Sequence, residues 1–164
     1  GLIDFAYYFD EGDLAGLGRA LIDPQGFRWE SRSAFDVSPC GYRRMASADV
    51  RLGHDGWAYA IEVPRWTDDR LLIGAQLQSS ARPVVPNLRP SVRLILATNG
   101  RRTFAIIDDE LVELDGLTTK NLGKAPRELR HFSVDGCNRP TGLYGDKVVR
   151  WSQNLGWRSL EFEP

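Results

Sequence analysis

The dipeptide Asn99-Gly100 constrains the fold of this chain most strongly, because it lies between two apolar segments of similar length. A two-residue type I′ turn needs positive φ at both residues, which Asn tolerates and Gly adopts freely. We therefore predict a β-hairpin over residues 91–107 in which Leu96 faces Thr103. Both faces of the hairpin are apolar near its middle, so we expect it to be covered on both sides within a layered or closed sheet.

Short runs of strand-like residues, separated by turn residues, follow one another from Pro24 onward. Their spacing is typical of all-β sandwiches and barrels. Strands are predicted at residues 27–31, 42–52, 57–63, 71–77, 111–114, 129–134, 147–152 and 157–162. The proline-rich stretch 79–90 is predicted to be an exposed crossover, and the polar stretch 117–128 to be irregular.

Residues 2–22 show a different pattern, with apolar residues recurring at spacings of three and four. This spacing predicts one or two short helices, the second capped by Asp13, and the segment ends at Asp23-Pro24. The expected fold is thus a mostly β protein, an antiparallel β-sandwich or closed β-barrel with short N-terminal helices. It would form one globular domain over residues 1–164, with a helical segment at 1–24 and a β body at 25–164.

The stretch from Phe9 to Leu14, together with Leu17 and the Asp-Pro break, resembles the opening helices of the NTF2-like, polyketide-cyclase superfamily. The closing stretch from Gly142-Leu143-Tyr144 through Gly156-Trp157-Arg158 resembles the last hairpin of that superfamily. The resemblance implies an alternative α+β cone, an enzyme or binder of small molecules. Residues 35–78 depart from it, because they read as strands where that fold has a third helix. The apolar pocket of such a cone would be lined by Phe5, Tyr8, Phe9 and Trp29.

Composition limits the classes of partner. The 164 residues, 42% of them hydrophobic, are enough for one buried core, and no apolar run is long enough to cross a bilayer, so we expect a soluble protein that does not enter membranes. A net charge of −1 does not favour duplex nucleic acid as a partner. Gly rather than Met at position 1 is consistent with a larger parent chain, and a homo-oligomer also remains open.

Five tryptophans are many for this length, and tryptophans either fill β cores or form platforms for flat ligands and sugars. Three of them, Trp57, Trp66 and Trp157, fall near strand ends, where binding loops gather. Arg101 is expected at the tip of the central hairpin, where its guanidinium could meet a carboxylate or phosphate. We therefore expect a recognition domain for carbohydrate or another flat small ligand, with Trp57, Trp66, Trp157 and Arg101 as ligand-binding residues.

Enzymatic alternatives have weaker support in the sequence. Acidic clusters at residues 10–13, 68–69 and 108–110 could supply the carboxylate pair of a glycoside hydrolase, but no particular pair is indicated. The sequence has only two histidines and two cysteines: His54, His131, Cys40 and Cys137. Their spacing indicates neither a metal site nor a catalytic pair. No metal, cofactor or catalytic residue is therefore assigned. The cysteines could form a disulfide or remain thiols, and a protein-interaction module with an exposed apolar patch is the third reading.

Overall fold

The computed structural model describes residues 2–9, 14–23, 26–34, 43–45, 51–52, 57–64, 70–76, 82–89 and 91–160. These residues form antiparallel β-strands joined by turns and loops and include no helix, which confirms the mostly β prediction. Accordingly, no helix suited to crossing a membrane occurs among them. The chain divides into two compact units, Gly1–Pro90 and Ser91–Pro164. The expectation of one domain over residues 1–164 stays a prediction.

The first unit contains two sheets. One has the strand order β1-β2-β3, and the other has the order β4-β6-β7-β8 with β5 paired to β6. The strands are β1 Leu2–Phe9, β2 Leu14–Asp23, β3 Gly26–Ala34, β4 Arg43–Met45, β5 Arg51–Leu52, β6 Trp57–Pro64, β7 Arg70–Gln76 and β8 Arg82–Leu88. Buried side chains from β6 and β7, among them Tyr59, Ile61 and Leu72, form the described core of this unit.

The predicted N-terminal helices are wrong, because β1 and β2 form an antiparallel hairpin in which Phe9 pairs with Leu14. Aromatic and β-branched residues dominate β1 and favour a strand, while Gly16 and Gly18 would each weaken a helix. The α+β NTF2-like cone loses its opening helices for the same reason. The side chains assigned to its pocket, Phe5, Tyr8, Phe9 and Trp29, lie outside what the structure describes.

The proline-rich stretch predicted as a crossover contains strand β8, so that prediction is wrong for residues 82–88. β8 lies at the end of the sheet's strand order. An edge strand can lose one row of hydrogen bonds, which is why it tolerates Pro83 and Pro86. The β7–β8 register is also interrupted at two places, as expected for a strand that contains prolines.

The second unit contains two four-stranded antiparallel sheets, each open rather than closed into a barrel. The first, called the hairpin sheet, consists of β9 Leu94–Thr98, β10 Thr103–Ile107, β11 Glu110–Asp115 and β12 Thr118–Lys124. The second, called the closing sheet, consists of β13 Arg130–Val134, β14 Pro140–Tyr144, β15 Lys147–Ser152 and β16 Gly156–Ser159. Strand β12 lies within the stretch predicted as irregular. Its residues are nearly all exposed, so they carry no apolar alternation by which a strand could be recognised.

The central hairpin forms as predicted, but its register differs by two residues. Leu96 pairs with Ala105 instead of Thr103, and the connection is the four-residue loop 99–102. Asn99 Oδ1 accepts hydrogen bonds from the backbone N–H groups of Arg101 and Arg102, both at 3.0 Å. Within this loop Gly100 has a φ of 82°. Because the shift is an even number of residues, each side chain remains on its predicted face.

Both faces of the hairpin sheet are buried, as the sequence predicted. On one face, Phe104, Ile106 and Leu111 pack with Val149 and Trp151 of the closing sheet. The opposite face also carries buried side chains: Leu94, Leu96, Ala105 and Val112. The apolar interface between the two sheets is therefore the core that holds the second unit together.

Strand β12 carries one extra residue relative to β11. Leu111 pairs with Gly123 and Val112 pairs with Asn121, so Leu122 is left without a partner in the ladder. Gly123 has a φ of 114°, and its N–H donates to Asn121 Oδ1 at 2.7 Å. This β-bulge bends the strand locally and leaves Leu122 packed against the core between the sheets.

Lys124 joins several elements at the end of β12. Its Nζ lies 3.0 Å from Asp109 Oδ1 and 3.0 Å from Glu110 Oε1. The hydrogen bond from Lys124 holds the pKa of Asp109 below its usual range. The backbone oxygen of Lys124 accepts a hydrogen bond from Trp157 Nε1 at 3.0 Å, which links the two sheets. The ion pairs are exposed and contribute little, whereas the indole bond fixes the position of β16.

Candidate ligand-binding site

The interface between the hairpin sheet and the closing sheet changes from apolar to polar toward loop 99–102. The cross-strand register places Phe104 beside Glu113, and Glu113 beside Lys120. Arg102 lies two residues before Phe104, and its guanidinium carbon is 5.0 Å from the centre of the Phe104 ring. Beyond the buried core, the surface that faces the closing sheet is therefore made of charged side chains.

A cavity of about 330 Å³ opens at this polar end. Its volume lies at the lower end of the range for small-molecule sites, roughly 300–1,000 Å³. The hairpin sheet contributes Arg102, Glu113, Lys120 and Leu122 to its lining. The closing sheet and its loops contribute Cys137, Asn138, Arg139, Pro140, Trp151, Ser152 and Gln153. The lining thus combines polar side chains with three apolar ones, the half-buried Leu122 and the buried Pro140 and Trp151.

Arg102 and Glu113 form a fixed charged wall of the cavity. Arg102 Nε donates to Glu113 Oε1 at 2.6 Å, and Arg102 Nη2 contacts the same oxygen. The guanidinium also rests on the ring of the fully buried Phe104. These contacts hold both side chains in one arrangement, and such preorganisation reduces the entropy that would be lost if a ligand bound here.

The opposite wall is the loop between β13 and β14, and a side chain from the central hairpin holds it in place. Asn99 Nδ2 donates to the backbone oxygen of Asp135 at 2.9 Å and to Asn138 Oδ1 at 2.7 Å. Within the loop, Asp135 Oδ1 accepts from the N–H groups of Cys137 and Arg139, both at 2.9 Å. The two loops beside the cavity are therefore connected through one asparagine.

Asp135 is held from a second side as well. Its Oδ2 lies 2.8 Å from Arg150 Nε on β15. Asn138 has a φ of 62°, a conformation that asparagine adopts more readily than most residues. The β13–β14 loop thus has a defined shape, set by Asp135 and Asn138 together.

Replacing Asn99 is expected to loosen this wall. Asn99→Ala removes both hydrogen bonds to the β13–β14 loop and both bonds that shape its own turn, so the free energy of unfolding should fall by about 1–3 kcal/mol. Asn99→Asp is the matched control for the turn, because it keeps an oxygen for the N–H groups of Arg101 and Arg102 but cannot donate. Amide hydrogen exchange at Cys137 and Arg139 should accelerate in both variants. Unchanged exchange there in Asn99→Asp would show that Asn99 does not hold the loop.

None of the sequence-predicted residues that the structure describes lines this cavity. Trp57 begins β6 in the first unit and stacks on Tyr59, with ring centroids 6.4 Å apart and an interplanar angle of 19°. Trp66 lies outside the described residues. In the second unit, Trp157 is half-buried and Arg101 is exposed, and neither lines the cavity. Their roles in ligand binding stay predictions.

Two cavity residues could have been found from the sequence by alternation. Arg102 precedes Phe104 by two positions, so it shares the face of that core residue. Trp151 follows Val149 by two positions and likewise points between the sheets. The sequence interpretation chose residues for their nearness to turns and did not use this alternation, so it missed Arg102, which precedes β10, and Trp151, near the end of β15.

Cysteine and acidic residues have defined positions in the second unit. Cys137 is an exposed free thiol, whereas Cys40, the disulfide partner that the sequence allowed, lies outside the described residues. Asp109 and Glu110, two of the acidic residues considered for glycoside hydrolysis, contact Lys124. Among the described residues, no cluster of three or more His, Cys, Asp or Glu side chains is arranged to hold a metal ion.

Comparison with known protein families finds no family that matches this chain, and comparison with curated proteins finds no match either. The function is therefore inferred from the geometry of the cavity.

Proposed function

We propose that the second unit is a recognition module that binds a small carbohydrate in the cavity between its two sheets. The proposal treats these sheets as a β-sandwich whose polar end forms the binding site. The observation that carries it is the combination of an apolar part containing Trp151 with hydrogen-bonding side chains held in place around it. No catalytic step is assigned.

The polarity of the lining supports a ligand with many hydroxyl groups. Arg102 offers a planar set of donors, Glu113 offers acceptors, and Asn138, Ser152 and Gln153 each offer groups of both kinds. A sugar presents hydroxyls around its edge and C–H groups on its faces, so it can satisfy both these polar groups and the apolar part of the cavity. The volume of about 330 Å³ suits a ligand of one or two sugar rings rather than a polymer.

Binding is favoured over glycoside hydrolysis because of the carboxylates at the cavity. Hydrolysis by the usual route needs two carboxyl groups on either side of the scissile bond. Of the lining residues that the structure describes, Glu113 alone carries a carboxylate, and that carboxylate is paired with Arg102. The arrangement therefore provides a polar contact for a ligand and not an acid and nucleophile pair.

A binding measurement with two matched arginine variants tests the proposal. The chain would be titrated with a panel of neutral and acidic mono- and disaccharides by isothermal calorimetry, and at least one should bind. Arg102→Gln removes a fixed wall of the cavity and should weaken that binding about tenfold or more, because a hydrogen bond to a charged group is lost. Arg101→Gln is the control, since Arg101 is an exposed neighbour that does not line the cavity, and it should leave the affinity unchanged within twofold.

Arg102→Gln leaves Glu113 without its ion-pair partner and could therefore weaken binding by disturbing the fold. A second variant distinguishes this effect from the loss of a ligand contact. Gln153 is exposed at the rim of the cavity, so Gln153→Ala should fold normally and weaken binding severalfold. The proposal fails if no saccharide in the panel binds. It also fails if Arg101→Gln reduces the affinity as much as the two cavity variants do.

A further inference from the structure

The cavity carries more positive than negative charge. Among the described residues that line it, Arg102, Lys120 and Arg139 are cations, whereas Glu113 alone is a carboxylate. This local excess contrasts with the formal net charge of −1 for the whole chain. We infer that the ligand is an acidic saccharide whose carboxylate or sulfate group is bound by Lys120 and Arg139. The inference rests on the proposed function and specifies its ligand.

Lys120 and Arg139 remain available for such a group. Arg102 is engaged with Glu113, and the other basic residues in described ion pairs, Lys124 and Arg150, lie outside the lining. Within the described part of the chain, the side chains of Lys120 and Arg139 take part in no ion pair. They are therefore the cations that an incoming anion can engage without breaking an existing contact.

These two cations belong to opposite walls of the cavity. Lys120 lies on β12 directly opposite Glu113 in the strand register. The backbone of Arg139 is fixed by its N–H donating to Asp135 Oδ1, which places its side chain at the β13–β14 loop. A ligand in the cavity lies between the two residues and can be reached by both. Charge-assisted hydrogen bonds from two sides give orientation as well as affinity.

The size of the cavity favours a small anionic ligand over a polyanion. A nucleic acid or a long acidic polymer needs an extended basic surface, which the near-neutral net charge does not favour. A cavity of about 330 Å³ with two available cations matches one anionic group on a small molecule. Carboxylate and sulfate share the chemistry required, so the experiment includes both.

The decisive comparison uses digalacturonic acid and its dimethyl ester, which share one skeleton and differ in charge. Calorimetry with the full chain at low salt should show the acid binding about tenfold or more tightly than the ester. That preference should shrink in 0.5 M NaCl as the charges are screened. Galactose 6-sulfate compared with galactose tests the sulfate arm in the same way.

Variants assign the preference to the two residues. In Lys120→Gln/Arg139→Gln the acid should lose about tenfold or more in affinity, while the ester changes by less than twofold. Lys147→Gln/Arg130→Gln is the matched control, because it removes a Lys and an Arg that are also exposed but do not line the cavity. All four positions are exposed, so the variants should fold like the parent chain.

The outcomes separate this inference from the proposed function. Equal binding of acid and ester, or binding of neutral sugars only, overturns the inference and leaves the carbohydrate proposal standing. If inorganic sulfate competes as strongly as the sugars, the saccharide part of the inference is overturned. If no saccharide binds at all, the proposed function fails first.

Discussion

Phe104→Ala should lower the free energy of unfolding of the second unit by about 3–5 kcal/mol, the range for truncating a buried aromatic ring. Phe104 is 0% exposed and packs in the core between the two sheets. The substitution removes buried apolar area and leaves a cavity that neighbouring strands cannot easily fill. Losing the contact with Arg102 adds only about 0.5–1 kcal/mol, so packing dominates the effect.

Urea denaturation combined with amide hydrogen exchange in β10 and β15 would measure this effect. Phe104→Leu is the control, because it retains most of the apolar volume and should cost clearly less than the alanine variant. Protection should fall in both strands, since Phe104 packs with Val149 and Trp151 across the interface. A loss below about 1.5 kcal/mol for Phe104→Ala would contradict the assignment of this residue to the centre of the core.

Arg93→Met is the second variant with a large expected effect, a loss of about 2–3 kcal/mol. The Arg93 guanidinium donates to three backbone oxygens in the connection between β12 and β13: those of Pro126 at 3.0 Å, Arg127 at 2.7 Å, and Leu129. Hydrogen bonds from a charged donor contribute roughly 1.5–3 kcal/mol each. Water can reach part of this site and replace some of them, so the total should fall well short of three times that value.

Burial lowers the pKa of Arg93, yet the guanidinium remains charged at any ordinary pH. Arg93→Lys keeps the charge but loses the forked geometry, so its stability should lie between those of the parent chain and Arg93→Met. Arg127→Met is the control from the same connection, with an exposed side chain and an expected change within about 0.5 kcal/mol. Equal stabilities for Arg93→Met and Arg127→Met in urea would refute the bracing role of Arg93.

The fold could be predicted from the sequence where the alternation of side chains and the residues of the turn indicate the same structure. The central hairpin has both signals, and the faces assigned to its side chains are correct. Its register was wrong because Asn99 caps two backbone N–H groups and opens the turn to four residues. The helix prediction for residues 2–22 was wrong for another reason. Their apolar positions fit the helical period, while the aromatic residues in β1 and the glycines in β2 favour strands.

The candidate site could be predicted only in part from the sequence. Arg102 and Trp151 could be placed by alternation with their core neighbours, as both follow from the strand period. The β13–β14 loop could not be placed in this way, because its position depends on the hydrogen bond between Asn99 and Asn138, which are 39 residues apart. Nothing local to either asparagine indicates its partner.

The extra residue in β12, Leu122, could be deleted without removing any pair of the β11–β12 ladder. If Leu122 were deleted, Asn121 and Gly123 would become consecutive and would still face Val112 and Leu111, so every present pairing would survive. Such a deletion would straighten the edge of the sheet and remove one apolar side chain from the lining of the cavity. Shortening the chain by one residue at this position would thus change the lining of the cavity while keeping the present strand pairs.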